Sequence, residues 1–246
     1  IEKFMSGVDS DWYRATIKSD TDVTTVVMKT RSLKEVLMVD YDYVYQNTTT
    51  EEEYETVGPS VDCKDRLHEP VKKNEHVGQQ WYLTAGDIQK AWHYLEKNGV
   101  DAGGSSSVTV AVIDTGVDYT HPDLETNMWI NVGEIPGNGI DDDENGYVDD
   151  IHGVNVIANN GYGDMENVGN PMDDHGHGTH VAGIIAAANN HAGVVGIAYN
   201  AKIMAVKAGQ ATGIFLQSDI AEGILYAYQM GADVINMSFG GSACSI

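Results

Sequence analysis

Basic residues are scarce in this chain. Lys and Arg number 14 against 37 Asp and Glu, a formal net charge of −23 over 246 residues. A phosphate backbone would be repelled by such a field, which argues against nucleic acid as a partner. Calcium or a cationic partner fits better, beside the plain solvating role of an acidic surface. Long apolar runs are missing as well: Val108–Ile113 and Val181–Ala188 fall far short of the roughly 18 residues that span a bilayer, and both read as core. Only two cysteines occur, Cys63 and Cys244, which permit one disulfide without requiring it and fix no redox compartment. Neither a start Met nor a signal peptide precedes Ile1, so the chain reads as a processed product or a fragment. What remains, 42% hydrophobic and 21% charged, is the composition of a globular protein rather than a coiled coil or a disordered tail.

Three segments differ in texture. Residues 1–46 carry strand-like pieces at Trp12–Ile17, Val23–Met28 and Val36–Val39, with a short helical candidate at Ser32–Glu35. They read as part of a small α/β module. Residues 47–78 are polar and lack periodicity, with Thr48-Thr49-Thr50, Glu51-Glu52-Glu53 and Gly58-Pro59, as a solvated linker would be. Residues 79–246 alternate apolar strands with helices: a helix at Ile88–Leu95, a buried strand at Val108–Ile113, a helix at Thr179–Asn189, a strand at Ile203–Lys207, a helix at Ser218–Met230 and a strand at Val234–Met237. Near-continuous apolar strands separated by helices predict an α/β doubly wound parallel sheet covered on both faces. In such sheets functional groups gather at the carboxyl ends of the strands.

Asp114 follows the first of these strands directly, in Val-Ile-Asp114-Thr-Gly116, and a turn-capping Asp would look the same. The sequence Asp174-His175-Gly-His177-Gly-Thr-His180-Val-Ala-Gly183 opens a small-residue helix. One chemical reading makes a His the general base for a hydroxyl nucleophile, oriented by Asp114. Another makes His175, His177 and His180 the ligands of a dinuclear zinc hydrolase, although Thr179 stands where those enzymes carry Asp. Three unrelated histidines are the bland alternative.

Asn138-Gly-Ile-Asp141-Asp-Asp143-Glu-Asn145-Gly146-Tyr147-Val-Asp149-Asp150 matches the front of an EF-hand loop, D-x-D-x-N-G. Asp141, Asp143 and Asn145 would supply side-chain oxygens to calcium, Tyr147 its carbonyl, and Asp149 or Asp150 a further carboxylate. His152 occupies the position of the closing Glu. The loop lies between Asp114 and His177 and reads as an insertion.

Val-Ile-Asp114-Thr-Gly, His177-Gly-Thr-His-Val-Ala-Gly and Val234-Ile-Asn-Met-Ser238-Phe-Gly-Gly241 occur in that order, each on the expected element. In this the chain resembles the subtilisin-like serine proteases over about residues 79–241, the front half of that catalytic domain. The resemblance implies that Asp114 is the triad carboxylate and His177 the general base, with His175 and His180 outside the triad. It implies a peptide cleft edged by Gly213-Ile214-Phe215 and Ser238-Phe239-Gly240, where a substrate adds as a β-strand. The family's Gly-Thr-Ser nucleophile and its preceding oxyanion Asn do not occur; Ser242 and Ser245 have no following helix. The expectation is a catalytic domain cut short before its Ser and inactive as it stands, or a dead peptide-binding module.

The same resemblance implies a second calcium site from His-Pro-Asp123-Leu and Ala188-Asn-Asn190-His-Ala192-Gly-Val194. Asp123 and Asn190 would give side-chain oxygens and Ala188, Ala192 and Val194 carbonyls. Gln79 fits the spacing of the remaining ligand, with Asn74 or Glu75 as substitutes. Residues 1–46 are similar, by strand pattern and position, to the end of a subtilase prosegment whose tail would lie in the cleft as an intramolecular inhibitor. The expected protein is thus an extracellular, calcium-dependent serine endopeptidase acting on polypeptides, with processing between about Tyr45 and Gly78.

Overall fold

The computed structural model describes residue 74, residues 76–157 and 168–240, and the backbone of three strands nearer the N-terminus. Four parallel strands form the central sheet: β4 (Thr109–Asp114), β5 (Gly153–Asn155), β6 (Lys202–Lys207) and β8 (Val234–Asn236), in the order β5-β6-β4-β8. β4 and β6 run in register from Thr109 beside Lys202 to Asp114 beside Lys207. The pleat sends successive side chains to opposite faces, and both faces are apolar. Ala111, Ile113, Met204 and Val206 join one core cluster, Val110, Val112, Ile203 and Ala205 the other. Helix α3 (His177–Ala186) covers the second face through Ala182 and Ala186, and helix α4 (Gln217–Gln229) the first through Tyr226 and Ala227. This is the α/β sheet with helices on both sides that the strand pattern predicts.

Helix α1 (Trp81–Ala85) and helix α2 (Ile88–Lys97) form a satellite of the core, in which Leu83 and Trp92 pack with Val195. The indole N–H of Trp92 donates to the Ile197 carbonyl at 3.0 Å. α2 stops at Asn98-Gly99, where Gly99 takes φ 73°, a left-handed conformation that favours glycine.

Several expectations are adjusted. The helix foreseen from Thr179 to Asn189 begins two residues earlier, at His177, and ends at Ala186. Ala187 turns extended and the next N–H, that of Ala188, donates to the Asp123 carbonyl instead of back along the helix. β2 (Asp11–Arg14) falls on the foreseen Trp12–Ile17 strand and pairs antiparallel with β1 (Glu2–Ser6). The candidates at 23–28, 32–35 and 36–39 lie outside the described residues, as do Cys63 and Cys244. The polar linker foreseen as far as residue 78 is already docked at its end: Asn74 is buried, and the His76 N–H donates to the Gly193 carbonyl at 2.7 Å.

A second, antiparallel sheet crosses the segment boundaries. β3 (Val44–Asn47) lies between β7 (Ile214–Leu216) and β9 (Phe239–Gly240). Val44, Tyr45 and Gln46 pair with Leu216, Phe215 and Ile214, while Gln46 and Asn47 pair with Gly240 and Phe239. The foreseen division between residues 46 and 47 therefore falls inside a strand.

Candidate active site

Asp114 ends β4 and is fully buried. Its Oδ1 accepts the Thr115 N–H at 2.7 Å and lies 2.7 Å from His177 Nδ1. Burial pushes its carboxyl above the ordinary range, and the hydrogen bonds from His177 and Thr115 draw it back. An ionised carboxylate only accepts, so His177 carries its proton on Nδ1 and keeps Nε2 as the basic nitrogen. His177 is the first residue of α3 and is buried. The residue after it has to be glycine: a β-carbon on Gly178 would strike the Gly116 carbonyl and stand 3.0 Å from the β-carbon of Asp114. Close approach of helix to strand end thus sets the pair's geometry.

Asp173 fixes the approach to the helix. Its carboxylate accepts from Thr115 Oγ1, from the N–H groups of His175, Gly176 and Thr179, and from Thr179 Oγ1. Burial raises its pKa, but the Thr179 hydroxyl and the N–H groups of Gly176, His175 and Thr179 outweigh that and hold it below the usual carboxylate range. Lys207 supplies a second brace, donating to the carbonyls of Thr115 at 2.7 Å and Gly209 at 3.1 Å and to Asp174 at 2.5 Å. Sequence reading passed over both residues. Asp173 stands one residue ahead of the motif quoted from Asp174, and Lys207 is an unusual charge at the end of a buried strand.

His175 and His180 are exposed, and His177 is committed to Asp114. Among the described residues the three histidines do not converge as a metal group. The edges foreseen for the cleft lie on either side of β3: Ile214 and Phe215 in β7, with Gly213 just before it, and Phe239 and Gly240 in β9, with Ser238 just before it. Phe215 and Phe239 stack with centroids 4.4 Å apart, joining the two edges.

In the acidic loop Glu134, Asp141 and Asp143 bring carboxylate oxygens within 4.8 Å of one another. Glu134 lies ahead of the D-x-D-x-N-G window, which is why the motif did not disclose it. All three carboxylates also take loop N–H groups, as when Glu134 Oε1 accepts from Asp142 and Asp143 and Asp143 Oδ1 from Asn145, and lone pairs remain for a hard cation. The donor set fits calcium. Asp149 stands apart, accepting the N–H groups of residues 137–139. Asp150 is buried and accepts from Tyr226, Asn131 and Asn145; burial pushes it up to about 6. Asn145 accepts the Tyr147 N–H and donates to Asp150, and the Tyr147 hydroxyl reaches Glu222 at 3.1 Å.

Around the turn 188–194, Asp123 accepts the Val194 N–H and Asn190 accepts that of Ala192. Gln79 is exposed, with its amide toward His76. Asn74, rather than Gln79, reaches into this turn, onto the carbonyls of Ala188 and Val194.

The site is thus a buried carboxylate–imidazole pair at the carboxyl end of a parallel strand. Residues 105–245 match the model of the subtilase family, Peptidase_S8. Subtilisin-like protease 1 of Plasmodium berghei (strain Anka) is 38% identical over 168 residues, 68% of this chain and 26% of the relative. Its counterpart in Plasmodium falciparum (isolate 3D7) is 40% identical over 168 residues, 68% of this chain and 22% of the relative. A thermophilic serine proteinase of Bacillus sp. (strain AK1) is 44% identical over 138 residues, 56% of this chain and 27% of the relative. The chain belongs to the subtilase family. It spans about a quarter of the length of these relatives.

Proposed function

We propose that the protein containing this chain is a secreted, calcium-binding serine endopeptidase of the subtilisin type, acting on polypeptides. The observation that carries this reading is the 2.7 Å contact between His177 Nδ1 and buried Asp114. Asp114 fixes the tautomer and stabilises the imidazolium. Nε2 takes the proton of a serine hydroxyl as it attacks the peptide carbonyl and returns it to the leaving amine. The serine and the oxyanion donor come from outside residues 1–246. Glu134, Asp141 and Asp143 would hold calcium, which would neutralise the crowded carboxylates and order the loop; extracellular calcium suits such a site.

The pairing of β3 with β7 and β9 supports residues 1–46 as a prosegment that inhibits in cis. A substrate added as a strand would make the same backbone bonds. A full-length protein should hydrolyse casein, react with a fluorophosphonate, and lose about 10⁴-fold in kcat on Asp114→Asn with its circular dichroism unchanged. Hydrolysis indifferent to the fluorophosphonate and to Asp114→Asn, but abolished by zinc chelation, would overturn the assignment.

A further inference from the structure

The turn 188–194 has the outline of a cation cage, yet its donors point the wrong way. The carbonyls of Ala188 and Val194 converge on Asn74 Nδ2, at 2.9 and 2.6 Å. Each takes one N–H of the carboxamide, so both are satisfied by a donor where a cation would need them as ligands. The orientation of this amide is fixed from the other side: Asn74 Oδ1 accepts the His191 N–H at 2.9 Å. Turning the amide over would set its NH₂ against that N–H and its oxygen against two carbonyls, replacing three hydrogen bonds by repulsions. Asn74 is only 2% exposed, so water would not relieve them.

Asp123 Oδ2 and the Gly193 carbonyl are engaged in the same sense. Asp123, buried, gives Oδ2 to the Val194 N–H, and Gly193 lies so close to it that a β-carbon there would strike the carboxylate. The His76 N–H holds the Gly193 carbonyl.

We infer that Asn74 replaces a cation in this chain: its amide closes the 188–194 turn, and the turn does not bind calcium. One atom decides the matter. An Asp at position 74 would keep the His191 bond with one oxygen and present the other, negatively charged, to two carbonyls, an arrangement stable only around a cation.

The test compares the full chain with Asn74→Asp and Asn74→Ala, using calcium itself as probe in titration calorimetry and in thermal melts with calcium or EGTA. Asn74→Asp should bind one more calcium than the native chain and melt about 5 °C or more higher with calcium in large excess over its Kd. Asn74→Ala should melt lower than native by the same margin in calcium and in EGTA, with the calcium count unchanged. Equal counts in a folded Asn74→Asp, or a count lower by one in Asn74→Ala, would overturn the inference. If Asn74→Asp does not fold even in calcium, the Asn74→Ala count decides. Loss of the acidic-loop calcium lowers every count alike and leaves these differences intact.

Discussion

Lys207 and Asp174 form an ion pair in which only the cation is buried: the lysine side chain is 8% exposed and the aspartate side chain 52%. All three ammonium protons are used, because the carbonyls of Thr115 and Gly209 take the other two. The N–H groups of Ala208 and Gly209 in turn donate to the Asp114 backbone carbonyl. The ammonium therefore ties the turn before His177 to the strand end that carries Asp114. Lys207→Met in the full-length enzyme should lower kcat about 10²-fold, the scale of a displacement near 1 Å in a catalytic group, with little change in KM. Asp174→Asn keeps an acceptor and should cost much less. Parallel loss of kcat with melting temperature in both variants would mean that Lys207 serves stability alone.

Asp173 gives a pH signature. Its folded pKa lies below its unfolded value, which is about 3.9. The ionised carboxylate thus adds stability above about pH 4, and that contribution disappears as pH falls through the lower, folded pKa. Asp173→Asn should cost about 1–3 kcal/mol at neutral pH, since hydrogen bonds to a charged acceptor are replaced by neutral or mismatched ones. It should also flatten the fall in stability below about pH 4. Denaturant unfolding from pH 2.5 to 7 would check both; an unchanged acid limb refutes the role given to Asp173.

Processing has narrower limits than the polar composition set. β3 holds the chain through Asn47, and the hydrogen bonds of Asn74 hold it again. β9 runs antiparallel to β3, with Gln46 beside Gly240 and Asn47 beside Phe239. Cleavage in the full-length enzyme is expected within about two residues after Asn47, where the sequence turns to a polar stretch, Thr48-Thr49-Thr50. N-terminal sequencing of the mature protein reads this directly. A mature end before Val44 would remove β3 from the role of product strand.

Calcium should stabilise the fold through the acidic loop. Removing it with EGTA is expected to lower the melting temperature by several degrees, because an ion held by Glu134, Asp141 and Asp143 would bind only their native arrangement. Glu134→Gln should reduce that difference as strongly as Asp141→Asn. Equal melting with and without EGTA at low salt would refute the calcium assignment.

Much of the site was legible along the chain. A strand buried on both faces is continuously apolar, so Val110–Ile113 announced itself, and Asp114 followed at its carboxyl end. Gly178 beside His177 signalled a close approach that no β-carbon permits. The acidic loop was legible only where its carboxylates share a short repeat; Glu134 is held there by loop N–H groups at 142, 143 and 149, which no motif encodes.

The sequence by itself determined the strand-and-helix order, the subtilase motifs and the acidic field, because periodicity, turn chemistry and charge are local properties of the chain. Tertiary structure alone decided three others: that Val44–Asn47 lies between Ile214–Leu216 and Phe239–Gly240, that Lys207 braces Thr115 against Asp174, and that Asn74 rather than Gln79 enters the turn at Ala188. Each joins residues far apart in sequence. Their partners are fixed by which backbone donors and acceptors packing leaves exposed to them, and that is settled only when the sheet and its helices are in place.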